Sequence, residues 1–242
     1  MSTLIDLDHY AEEVAAFAGL AAGFVAGSST LRLDDVERQL RQAVEAGQHT
    51  IVWETRDPII FRPGNLYDGP GREHAPTSFS LEFRCEFSRP TATRRRCRVW
   101  QIVHSATHVS IEKEAGGLRF HVDYKNAGQW GPQVHLQIEE SPEHGDLPIP
   151  RIPAMSFLPT DCADLALSEL HPEEWRRTQG AGGMQHHMSV VRNAQESRTL
   201  AYVSDIRRQW NQDTRLTRIS MLQDYTAAIA GLPDRHGRDA RY

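Results

Sequence analysis

A chain of 242 residues, 39% hydrophobic and 24% charged, is long enough to bury one sizeable core. Its formal charge of −5 excludes nucleic-acid binding through bulk charge and leaves only a local basic groove for that purpose. The positive charge is almost all arginine, Lys113 and Lys125 being the only lysines. Cys85, Cys97 and Cys162 form no CxxC pair and no metal-ligand spacing, and a sparse, odd set of cysteines fits a reducing compartment. The apolar stretch from Ala15 to Gly27 follows Asp6, Asp8, Glu12 and Glu13 where a secretory leader would carry basic residues, and it is too short to span a bilayer. The expectation is a cytoplasmic protein with no membrane segment.

The pattern predicts one α+β domain: an antiparallel β-meander flanked by N-terminal and C-terminal helices. Residues 1–48 read as a helical segment. An alanine-rich helix runs over residues 6 to 27, with Gly19, Gly23 and Gly27 at every fourth position on a face that would admit a close neighbour. A second helix runs from Asp34 to Ala46, with Val36, Leu40 and Val44 on one side and Gly47 as its stop. The sheet occupies 49–140. Thr50 to Glu54 and Ile59 to Phe61 are strands interrupted by Asp57-Pro58. After a loop rich in proline and glycine (62–76), Phe79, Leu81, Phe83, Cys85 and Phe87 alternate with polar residues, the signature of a half-buried strand. Further strands are expected over Cys97–Val103, Thr107–Lys113, Leu118–Tyr124 and Val134–Ile138. A proline-rich connection (141–160) leads to C-terminal helices (161–232): Asp161 to Leu170, a turn opened by Pro172, Gln185 to Trp210, and Thr214 to Ala230.

The candidate site lies on the meander. If Glu114 to Gly117 is a four-residue turn, Lys113 faces Leu118, His108 faces Asp123 and Ser110 faces His121. Alternation then puts Val109, Ile111, Phe120, Val122 and Tyr124 in the core. His108, Ser110, His121 and Asp123 share the opposite face, joined by His135 and Gln137 from the next strand, and His104 precedes them. Because the side-chain period is two, a slip of the turn by two residues changes the pairing and leaves the face intact. Imidazoles on a rigid sheet, with an aspartate to orient one ring, suit acid–base phosphodiester cleavage. The same residues also suit an open site for a divalent metal bound by histidines. Covered by the C-terminal helices, they would instead be structural.

Two resemblances bear on this face. His108-Val109-Ser110-Ile111 resembles the His–apolar–Ser–apolar strand of the two-histidine phosphoesterases; the second copy would fall on His135-Leu136-Gln137-Ile138, where glutamine replaces serine. Arg119-Phe120-His121-Val122-Asp123-Tyr124, then His135, then Pro150-Arg151-Ile152-Pro153, is similar to a pattern in uncharacterised bacterial proteins of toxin–antitoxin and phage-defence loci. That resemblance covers residues 98 to 175 and implies a component of a multi-protein bacterial defence or toxin–antitoxin system, acting through protein–protein contacts. The terminal helices would then dock a protein partner or a second copy. The alternative from the residues themselves is a nuclease or phosphodiesterase using His108, His121, Asp123 and His135. Arg94, Arg95 and Arg96 are the candidates for gripping nucleic-acid phosphates, or else a solvated loop. Adjacent His186 and His187 point apart on a helix and cannot chelate together. His171 to Trp175 reads as a helix start, with Glu173 and Glu174 favoured in its first turn. There is no phosphate loop, dinucleotide fingerprint or nucleophile elbow.

Overall fold

The computed structural model describes residues 4–64, 76–90, 99–113, 116–125, 134–139, 152–154 and 158–212. Among them, eight strands form one antiparallel sheet: β1 (Leu4–Asp6), β2 (Thr50–Glu54), β3 (Ile59–Gly64), β4 (Thr77–Ser88), β5 (Val99–Lys113), β6 (Gly116–Lys125), β7 (Val134–Ile138) and β8 (Ile152–Pro153). The strand order is β2-β4-β5-β6-β7-β8. β2 and β3 lie end to end along β4, and β1 and β6 lie end to end along β5. The helices are α1 (Leu7–Ala21), α2 (Thr30–Glu45), α3 (Pro159–Leu170), α4 (Pro172–Gly180) and α5 (Gln185–Gln212). The chain is thus α+β, with helices from both ends flanking the sheet.

The helices pack on one sheet face because the alternating strands offer them an apolar surface there. From β2 to β4 that surface is Ile51, Trp53, Ile59, Phe61, Phe79, Leu81, Phe83 and Phe87, all buried. α1 presents Tyr10, Val14, Phe17 and Leu20 at helical spacing, and α2 presents Leu33, Val36 and Leu40. Tyr10 packs edge-on against Trp53, and the Trp53 indole Nε1 donates to the Val36 carbonyl at 2.7 Å. The orphan amides at the start of α1 are answered by Asp6, whose carboxylate accepts from the amides of Asp8 and His9 at 3.0 and 3.3 Å. Gly47, at φ +66°, follows α2 as the left-handed stop its sequence predicts.

The structure departs from the sequence reading at several points, among them the start of α2 at Thr30 and the extension of β3 to Gly64. The first helix is shorter than residues 6 to 27. Leu4–Asp6 is a strand on β5, and beyond Ala21 a 3-10 turn lets Val25 bridge to Phe61, with the Ala26 amide donating to Ile60. Of the three spaced glycines only Gly19 meets a helix: a Cβ there would stand 3.1 Å from the His187 ring of α5. The two strands expected over 97–103 and 107–113 are one, β5, with a β-bulge between the pairs Glu86–His104 and Phe87–Ile102, where Val103 is the extra residue. Finally, the β5–β6 turn closes between Lys113 and Gly116, so Gly116 and Gly117 pair as strand residues. Arg94, Arg95 and Arg96, the loop around Tyr67, most of the proline-rich connection and the helix over 214–230 lie outside the described residues. No helix among the described residues is long and apolar enough to cross a membrane.

One buried ionic cluster ties three helices together. Glu13 of α1 is fully buried; it pairs with the Arg198 guanidinium of α5 and accepts from the Thr160 hydroxyl of α3 at 2.8 Å. Arg198 also reaches Asp161 of α3 at 2.5 Å. Burial pushes the Glu13 carboxyl up, against the opposing pull of Arg198. Removing the cation leaves a carboxylate in the core without compensation. Arg198→Met is expected to lower the unfolding free energy at neutral pH by about 3–5 kcal/mol in urea titrations. Adding Glu13→Gln to that variant should recover a substantial part of the loss.

Candidate functional site

The sheet face turned away from these helices is polar, and strand register sets its residues in rows. One row runs Glu82 (β4), His108 (β5), His121 (β6), Gln137 (β7). The next runs Arg84, Ala106, Asp123, His135, Pro153. A third runs Ser80, Ser110 and Arg119, and the Glu139 amide extends it by donating to the Arg119 carbonyl at 2.8 Å. The expected face is therefore present, with the pairing shifted by two residues. His108 faces His121, not Asp123, and Ser110 faces Arg119, not His121. His104 stands on β5 itself, opposite Glu86 and Lys125.

Opposite residues on an antiparallel pair bring their side chains into contact, and here three imidazoles meet. The ring centroids of His108 and His121 are 5.3 Å apart, and those of His121 and His135 6.1 Å apart and nearly perpendicular. The side chains of His108, Asp123 and His121 are 32%, 25% and 15% exposed, and His135 is buried at 2%. The described part of α5 packs against α1, on the far side of the sheet.

Glu139, one residue beyond the end of β7, organises the cluster and was not foreseen from the sequence. Its Oε1 lies 2.7 Å from His108 Nδ1 and 3.2 Å from His121 Nδ1, so with those nitrogens protonated both rings donate to one oxygen. Its Oε2 pairs with Arg119 Nε at 2.8 Å, and Arg119 reaches Glu82 at 3.4 Å. Burial alone would raise the Glu139 carboxyl. The hydrogen bonds from His108 and His121 and the Arg119 charge outweigh it and hold the carboxyl below the usual glutamate range. On the other side of the His121 ring, Nε2 stands 3.6 Å from Asp123 Oδ2. Asp123 Oδ1 is buried and receives no hydrogen bond from the described residues.

Other candidates from the sequence are structural. Cys85 and Cys162 are buried, and burial pushes the Cys85 thiol up to about 12, which excludes a thiolate nucleophile there near neutral pH. His171 is buried edge-on against Phe24, its Nε2 3.1 Å from the Arg62 carbonyl. Glu173 and Glu174 occupy the first turn of α4, as expected.

Glu139 links this face to acid stability. Its depressed carboxyl stabilises the fold fully above the ordinary glutamate value of about 4.3, and that contribution is lost as pH falls through the lower folded value. In thermal melts, wild type should therefore exceed Glu139→Gln at pH 7, and the gap should narrow steadily below about pH 4.5. A gap that is constant down to the acid transition would show that Glu139 carries no such linkage.

No family model, curated protein or solved structure matches the chain, so its chemistry is read from the residues of this face.

Proposed function

We propose that the protein is a phosphodiester hydrolase acting on RNA or single-stranded DNA, and that it works from the face carrying His108, His121, Asp123 and His135. The observation that carries this reading is the convergence of two imidazoles on one carboxylate, at 2.7 and 3.2 Å from Glu139 Oε1. A carboxylate that accepts from Nδ1 fixes the tautomer and leaves Nε2 bare as a base. His108 is the more exposed ring and is the base in this reading. It takes the proton from water, or from a ribose 2′-hydroxyl, as that oxygen bonds to phosphorus and the bond to the leaving oxygen breaks; the leaving oxygen takes a proton from solvent water, and His108 returns its own to solvent. The orienting role first given to Asp123 passes to Glu139, because 3.6 Å is too long for a hydrogen bond to His121.

The resemblance to bacterial defence and toxin–antitoxin proteins falls on the strand pair that carries these residues, and the biological setting is inferred from it: a component of a multi-protein system of that kind. Leu200 and Val203, exposed on α5, favour a docked protein partner as the companion reading. A gene standing alone among metabolic enzymes would count against the setting.

Purified protein incubated with RNA and with single-stranded DNA should release fragments. His108→Ala should slow release by about 10²- to 10⁴-fold, the usual contribution of a positioned acid or base. Cleavage that persists unchanged in both His108→Ala and His121→Ala would remove the face from the chemistry and leave docking as the function.

A further inference from the structure

A phosphodiester is an anion, and this face is poorly furnished to receive one. Glu82, Asp123 and Glu139 lie on it, Arg119 is already paired with two of them, and Arg84 is paired with Glu54. Additional positive charge would be needed to bring a phosphate here and stabilise it as charge develops.

Two groups of side chains on this face bring three donor atoms within 4.8 Å of one another: His108, His121 and Glu139, and His121, Asp123 and His135. They differ in what already satisfies them. In the first group, both imidazoles lie at hydrogen-bond distance from one oxygen, which has two lone pairs to receive them. In the second, His121 Nε2 and Asp123 Oδ2 are 3.6 Å apart, beyond a hydrogen bond. Two donors each about 2.0–2.1 Å from one tetrahedral ion stand about 3.4 Å apart, which is close to that spacing. Asp123 Oδ1, in the same group, is buried with no described donor, a cost that a cation would offset. His135 closes the group from the buried side.

The geometry points to a divalent transition-metal site formed by His121 Nε2, Asp123 and His135, with Glu139 as the outer carboxylate that orients His121. Two imidazoles and one carboxylate are a donor set that zinc and iron(II) both accept, with a position left for water or a phosphate oxygen. The outer carboxylate has a defined task. By accepting from His121 Nδ1 it leaves Nε2 unprotonated for the ion, and Arg119 holds it in place. His108, bonded to the same Glu139 oxygen, stands outside the coordination group. The inference deepens the hydrolytic reading by naming the cofactor class of the same face, and it is tested by binding, not turnover.

Protein purified without chelator should carry one zinc or iron per chain by elemental analysis. Protein stripped by chelator should bind Zn²⁺ with one-to-one stoichiometry in calorimetry and melt at higher temperature with the metal than without. Asp123→Asn, which keeps the side-chain shape, and His135→Ala should each weaken Zn²⁺ binding at least 100-fold. Glu139→Gln should weaken it 10- to 100-fold, as expected for an outer-shell partner, and His108→Ala should leave it within about 3-fold. Melting of stripped Asp123→Asn at the wild-type temperature separates lost binding from lost folding. The site is overturned if stripped wild type binds no Zn²⁺. It is also overturned if His108→Ala abolishes binding while Asp123→Asn and His135→Ala retain it, since the ion would then sit in the other group. A protein that binds metal at these residues and cleaves nothing would refute hydrolysis and leave the metal site standing.

Discussion

A carboxylate shut away from water must be answered by the fold, and the answer to Glu13 dictates where α5, the longest described helix, goes. Arg198 comes from the C-terminal half of the described chain, and to reach Glu13 and Asp161 it must bring α5 across α1 and beside α3. The close approach of His187 to Gly19 is the same seam further along, open because that position has no side chain. Such a cluster costs desolvation and is weak evidence of high stability, but it tolerates few alternatives, since any other placement of α5 strands Glu13. The described helices therefore stay together on one side, and the opposite face of β4 to β7 is not spent on packing against them.

That separation explains which parts were legible in the sequence. The face of His108, His121, Asp123 and His135 could be read because Val109, Phe120, Val122, Tyr124 and Val134 alternate with them, and alternation is indifferent to a slip of two. The pairing could not be read from the same residues. Glu114, Ala115, Gly116 and Gly117 suit a turn of either length, and only the paired backbones show that the glycines belong to β6. Glu139 has a signal in the sequence, since His135, Gln137 and Glu139 continue one period, but the apolar half of the alternation ends at Ile138 and the strand pattern ends with it. The three-residue strand β1 left no such trace, because Leu-Ile-Asp is too short to show a period, and its pairing with β5 is a tertiary fact. The bulge hid behind polar core residues. Ser105 and Thr107 are fully buried, one bonded to Cys85 across the strands at 3.3 Å, and they break the apolar pattern that would have joined β5 into one strand.

The chemistry of the face turns on the two ends of one ring. The Nδ1 edge of His121 meets Glu139 and its Nε2 edge meets Asp123, so the ring cannot be assigned to one neighbour without affecting the other. A proton on Nδ1 frees Nε2; a proton on Nε2 turns the lone pair of Nδ1 toward a carboxylate that has no proton to give. Arg119 biases the choice, because it keeps Glu139 charged and hence an acceptor. A guanidinium paired with the other oxygen of Glu139 thereby sets the tautomer of the central histidine.

The extra residue in β5 has an evolutionary corollary. Trp100 and Ile102 are core residues at even positions, and Val109 is a core residue at an odd one. Val103 is the phase shift that lets both belong to the same strand. Deleting Val103 would give an uninterrupted ladder in which Ile102 still faces Phe87 and His104 still faces Glu86, so both halves of the strand would keep their faces. Keeping Val103 but flattening the bulge would instead turn Trp100 and Ile102 to the outside or His108 into the core. The even spacing between Ile102 and His108 is thus the mark of a bulged strand, and a homologous chain that keeps both the core and the histidine face without a bulge would carry an odd spacing there.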